Sequence, residues 1–218
     1  MHISEGVLSV PVIAVGWGTA LAGISIGLKK TPVHTLPETA LISAVLFLAS
    51  LVHVPLGPSS IHLTMLGLAG ILLGWSAVPA LFIALLLQSM LFQFGGLLSL
   101  GVNTTVMGTA ALSAFGTWRF FSGRKGGPQR LLMTGTKPAA AFIGGFLAVI
   151  TGSILVTLSL FLSSRDLFST ATLMFAANLP LAAVEGVITA FCVVFLQRML
   201  PHYVFGSANL GGKNPKKF

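Results

Sequence analysis

Residues 138–162 are 25 consecutive positions without one charged side chain. Charge is scarce along the rest of the chain too, with 12 basic and 4 acidic residues among 218 and an apolar share of 55%. A soluble domain carries about 25% charged residues. This chain carries 7%, too few to solvate a globule of its size. A soluble enzyme domain and a disordered chain are therefore excluded. A bilayer span takes about 20 apolar residues, so about seven spans with short connections use up the sequence. The expected fold class is all-α, a polytopic helical membrane protein.

Seven apolar runs are legible, at about 7–28, 38–54, 61–78, 80–94, 104–121, 138–162 and 171–199. Pro79 is placed to open the fourth at its first turn. Thr35 and Glu38 have the spacing of a capping box for the second. The stretch 95–104, GGLLSLGVNT, reads as a glycine-rich loop dipping back among the helices. No long internal repeat is present. Residues 1–200 read as a single transmembrane helical domain, and 201–218 as a basic cytoplasmic tail.

The net charge of +8 reports one basic membrane face rather than a nucleic-acid partner. Lys29 and Lys30 follow the first run. Arg119, Arg124, Lys125, Arg130 and Lys137 lie at the junction of the fifth and sixth, and Arg198, Lys213, Lys216 and Lys217 end the chain. Seven spans collect these eleven on one side and leave Arg165 alone on the other. The positive-inside rule then puts the N-terminus outside and the C-terminus in the cytoplasm. The first run lacks a basic n-region and an evident cleavage site, so it reads as a retained helix rather than a signal peptide.

This topology sorts the histidines. His2, His53 and His62 fall on the outer face, His34 and His202 on the cytoplasmic one. Three imidazoles in a chain with one cysteine suggest a nitrogen-rich metal site, and solvated interfacial histidines are the competing reading. A histidine at position two offers an ion the terminal amine, its own amide nitrogen and its ring. The chelate rings have five and six members and hold three nitrogens nearly in a plane. One more imidazole makes a tetragonal set of the kind Cu(II) and Ni(II) favour. The amine, with an ordinary pKa of about 7.7–8.0, must lose its proton, so binding should strengthen as pH rises. Met1 is expected to be retained, because histidine is bulky, and its amine is then the one that binds.

The opening MHISEGVLS, PLGPSSIHL at 55–63, LLLQSMLFQFGGLLSLGVNT at 85–104 and PLAAVEGVITAF at 180–191 together resemble the CbiM/NikM family. These are the substrate-binding membrane components of cobalt and nickel energy-coupling factor transporters. The likeness spans nearly the whole chain with the four motifs in order. It implies capture of Co(II) or Ni(II) as transported substrate, with no catalytic cofactor. The implied ligands are the Met1 amine, the amide and ring of His2, and His62. His53 is then a capture ligand at the mouth or a group behind the ligands. Asn103 either orients a ligating histidine or caps a helix. Glu5 either pairs with His2 or caps the first helix, and Ser59 and Ser60 either support the site or cap the third run. The implied partners are a transmembrane coupling subunit, two ATP-binding-cassette ATPases and a small auxiliary membrane subunit, in the inner membrane.

The chain has no G-x-x-x-x-G-K-[ST] loop of its own and is not expected to be an enzyme. A proton-coupled secondary transporter is the first rival, but only Glu185 lies deep in a run. A component for a non-metal micronutrient such as a vitamin is another. A charge at the position of Glu185 costs about 2.5–3.5 kcal/mol on insertion scales. It must therefore be paired or protonated, in a helix-to-helix bond with Asn178 or a partner subunit, or as a polar step for the ion. Small residues at four-residue spacing, Ala14, Gly18 and Ala22 and then Ala40 and Ala44, mark faces for close packing, inside the chain or against a partner.

Overall fold

The computed structural model describes residues 3–51, 53–56, 59–122 and 138–199, with 53–56 and 59–62 described by their backbone. Among these residues are seven α-helices and one two-stranded antiparallel ribbon. The tail 201–218 and the basic residues Arg124, Lys125, Arg130 and Lys137 lie outside the described residues.

Helix α1 (Val10–Lys29) opens on Ser9 in extended conformation, has Pro11 in its first turn and ends on Lys29. Proline fits there because the first-turn N–H groups have no helical acceptor. A 3-10 turn, Val33–Thr35, leads into α2 (Leu36–Leu51). The Thr35 hydroxyl donates to the Pro32 carbonyl at 2.8 Å, so Thr35 belongs to that turn and the helix starts one residue after it. The chain then leaves helix. Strands β1 (His53–Leu56) and β2 (Ser59–His62) pair with His53 opposite His62. The second and third apolar runs, expected at 38–54 and 61–78, are thus corrected. The helix α3 (Leu66–Leu73) has only eight residues, about 12 Å of rise.

Gly74 (φ 58°, ψ −123°) ends α3 in a conformation open only to glycine. A second 3-10 turn, Gly74–Ser76, leads into α4 (Ala77–Phe92), which carries Pro79 in its first turn as expected. Gly95 and Gly96, at φ 77° and 82°, make the tight turn that follows. Helix α5 (Leu100–Ser122) then starts four residues earlier than the expected 104. Helix α6 (Pro138–Ser163) and α7 (Phe168–Met199) are joined by a 3-10 turn at Arg165–Leu167, and Pro180 lies inside α7.

Five helical stretches are long and apolar enough to cross a membrane: Val10–Lys29, Val33–Leu51, Leu66–Phe92, Pro138–Ser163 and Arg165–Met199. The third unites α3 and α4 across the Gly74 turn. Helix α5 has 23 residues, but Asn103, Thr104 and Thr105 make it less apolar.

The core lies around α3, which packs on α5, α6 and α7. Leu66, Ala69 and Ile71 have no exposed surface, and neither does Trp118 of α5. Missing side chains bring backbones together. A Cβ on Gly70 would strike the Ala111 carbonyl, and one on Gly67 would strike Gly145. Gly16 of α1 likewise abuts Val102 of α5. The faces singled out by spacing behave differently: Ala14, Gly18, Ala22, Ala40 and Ala44 all point outward, and a Cβ on Gly18 would meet nothing within 4 Å.

Helix ends fix the order of the bundle. The Ser9 N–H donates to Ser163 Oγ at 3.1 Å, joining the start of α1 to the end of α6. At the other end of α1, Thr31 Oγ1 donates to Ser76 Oγ at 2.8 Å, and Lys30 Nζ lies 4.0 Å from the centre of the Trp75 ring. Helices α1 and α5 run parallel, with Thr19 Oγ1 2.8 Å from Thr105 Oγ1.

Overpacking a filled core costs about 1–3 kcal/mol, and the backbone facing Gly70 has little freedom to yield. Gly70→Val is expected to lower the unfolding midpoint in detergent by that margin, while Gly18→Ala leaves it within about 0.5 kcal/mol. Thermal unfolding of the two variants checks the contrast.

Candidate metal centre

The N-terminal segment is pinned into the bundle at two points. The side-chain amide of Asn103, on the first turn of α5, pairs with both backbone polar groups of Ile3. The Ile3 N–H donates to Asn103 Oδ1 at 2.9 Å, and Asn103 Nδ2 donates to the Ile3 carbonyl at 3.2 Å. Asn103 and Ile3 are both buried, at 2% and 3% exposure. Asn103 Nδ2 also reaches Ser99 Oγ at 3.4 Å, and the Ser99 hydroxyl donates to the Gly95 carbonyl. Ile3 and Leu8 pack with Val102, Val106, Val156, Leu160 and Ala171.

The second point is Glu5. Its carboxylate accepts the Leu98 N–H at 3.1 Å. Gly96 makes room for it, since a Cβ there would strike the Glu5 side chain. Glu5 therefore does not cap α1, whose N-cap is Ser9. The loop 93–99 is further tied to α1 by Trp17 Nε1, which donates to the Leu98 carbonyl at 3.1 Å. Asn103 is neither a loop residue nor a helix cap. Its amide serves the backbone of the residue that follows His2.

The histidine pair is framed from the other side. The ribbon sets His53 and His62 directly opposite each other in register, and β2 lies beside α2 and α7. Three residues after His62 the chain turns into α3 through Met65, whose φ of 50° is rare for a residue with a Cβ. Glu185 holds this junction. Its carboxylate accepts the Thr64 N–H, the Thr64 hydroxyl at 2.8 Å, and the Met65 N–H at 2.9 and 3.1 Å. Glu185 has no exposed surface. Its partners are thus at the start of α3, and not Asn178, which was one of the alternatives read from the sequence.

The two anchors lie at neighbouring depths. Gly70 of α3 faces Ala111 of α5. From that level Leu66 is four residues back, about 6 Å, and Asn103 eight residues back, about 12 Å. Met1, His2 and the side chains of His53, Ser59, Ser60 and His62 lie outside the described residues. What is described is the backbone that carries them: Ile3 on one side, and the His53–His62 pair with its Glu185-bound junction on the other. Sequence reasoning singled out Glu185 as a lone carboxylate deep in a run. It missed Thr64 and Met65, which had been assigned to a continuous helix.

The family profile described as "cobalt uptake substrate-specific transmembrane region" matches residues 2–203. A protein of Haemophilus influenzae with a provisional metal-transport name is 34% identical over 209 residues, 96% of this chain and 99% of that one. The cobalt transport protein CbiM of Geobacter sulfurreducens is 32% identical over 232 residues, 97% of this chain and 64% of that one. Among solved structures, a transition metal transporter superposes with a TM-score of 0.80 at 27% identity, covering 97% of this chain and all of that one. With its apolar helices and this match over nearly its full length, the chain is a multi-pass membrane protein belonging to the CbiM family.

Proposed function

We propose that the protein is the substrate-capture component of an ATP-driven cobalt or nickel uptake transporter. The ion is held by the Met1 amine, the amide and ring nitrogens of His2, and the His62 imidazole, with His53 at the mouth of the site. The clamp of Asn103 on Ile3 carries this reading. A buried asparagine that binds both polar groups of one backbone residue fixes the direction of the chain, and that residue is the neighbour of His2. Consecutive Cα atoms are about 3.8 Å apart, so His2 is one such step of chain from the clamp and Met1 two. Ser59 and Ser60, on the strand with His62, supply polar support behind the ligands.

A seven-pass arrangement, with the N-terminus outside and the C-terminus in the cytoplasm, is supported by the helix ends. The Ser9–Ser163 bond marks one face and the Thr31–Ser76 bond the opposite one. Lys29 and Lys30 fall on the second face and Arg165 on the first. The expected lone position of Arg165 is thus consistent with a cytoplasmic second face, in the cell inner membrane. Residues 1–200 act as one transmembrane unit. Energy comes from two ATPases through a transmembrane coupling subunit, with a small auxiliary membrane subunit completing the assembly. A proton-coupled carrier needs a free carboxylate along its path, and Glu185, the deep one, is engaged by backbone donors.

Calorimetric titration of Ni(II) or Co(II) into the purified chain tests the ligand set. A native N-terminus is expected to bind tightly, and more tightly as pH rises through about 7.7–8.0, the amine's ordinary range. A few residues added before Met1 should abolish tight binding, and equal binding by both forms overturns the reading. His2→Ala and His62→Ala should each abolish it, and His53→Ala should weaken it less.

Asn103→Ala removes the clamp and leaves the ligands in place. Loss of such a supporting group costs about 10–100-fold in metal affinity. The same titration on a folded Asn103→Ala protein checks this.

A further inference from the structure

We infer that Glu185 is a positioning residue for the metal centre, which fixes the strand-to-helix junction behind His62 from a different helix. The inference rests on the reading of His62 as a ligand. Helix α3 begins without a cap of its own. Met65, at its N-cap, offers no side-chain oxygen, and no side-chain cap bond is made there. The first N–H groups of any helix lack helical acceptors, and Thr64 is buried at this one. The carboxylate of Glu185 fills the vacancy from α7. It takes the N–H groups of two successive residues and the hydroxyl of one of them. A negative group also suits the positive end of α3.

What is fixed is more than the helix start. Thr64 is the second residue after His62, at most about 7 Å of chain away. Met65 is held at φ 50°, a conformation that sets the direction in which β2 enters. Turning or sliding this junction would carry His62 with it. The nearest polar group one turn along α7, Thr189, is buried as well, but lies against Gly67 and Gly145 and not against the junction. It therefore provides a control at similar depth on the same helix.

The test uses the full chain with its native N-terminus in detergent, and Ni(II) as the probe. Glu185→Gln, which replaces one acceptor oxygen by a donor amide, is expected to lower Ni(II) affinity at least tenfold. It should also shift the ligand-field absorption band of the bound ion, and speed amide exchange at Thr64 and Met65 but not at Ile3. Thr189→Val should bind like the unaltered protein. Thr64→Val loses only the hydroxyl bond and should fall between the two. It also decides the matter if Glu185→Gln does not fold, because unchanged affinity and band in Thr64→Val then overturn the inference. Unchanged affinity and band in a folded Glu185→Gln overturn it as well, as does an equal loss in Thr189→Val, which would mean general loosening. If the unaltered chain binds no Ni(II), the functional reading falls, and this inference falls with it.

Discussion

Backbone that leaves helix or sheet among apolar helices has no water to turn to, so every N–H and C=O it exposes must find a partner in the protein. Two places in this bundle are in that position, the buried Ile3 and the junction at Thr64, while the turn at 93–99 is partly exposed. Each is held by a side chain from a distant part of the sequence. Asn103 serves Ile3, Glu185 serves Thr64 and Met65, and Glu5 serves Leu98. A buried polar group costs free energy unless it is bonded. Asparagine and glutamate deep among leucines therefore match the irregular backbone around them. Asn103 and Glu185 mark where the chain beside them is not helical.

This correspondence explains what could be read from the sequence. The sixth run, expected at 138–162, is the helix Pro138–Ser163, and the first differs from α1 by a few residues. Such runs are uninterrupted and apolar, and a helix is the form that satisfies an apolar run's backbone internally. The ribbon at 53–62 could not be read the same way. His53 and Val54 read as the end of one run and Ile61 and His62 as the start of the next, with PLGPSS a short connection between them, and hydropathy does not distinguish a strand from a helix. Glu185 stood out in the sequence, but its partners lie 120 and 121 residues away, beyond any local pattern.

Small residues were legible as a type and not by place. The regular spacing in α1 and α2 drew attention to Ala14, Gly18 and Ala40, which point outward. The close approaches are made by Gly16, Gly67, Gly70 and Gly145, and the residues they meet are far off in the chain. Gly101 shows the same thing. The run of glycine through 95–104 suggests a loop, yet Gly101 is helical, and it is small because Trp17 of α1 lies against it.

One of these close approaches lies within a turn of Glu185. Directly below Glu185, α3 meets α6 at Gly67 and Gly145, with the Thr189 hydroxyl wedged beside them. A single methyl group does not fit there. Three helices thus meet backbone to backbone one turn from the carboxylate. A movement of the eight-residue α3 away from α6 would open this contact and would also pull Thr64 and Met65 off the oxygens that hold them.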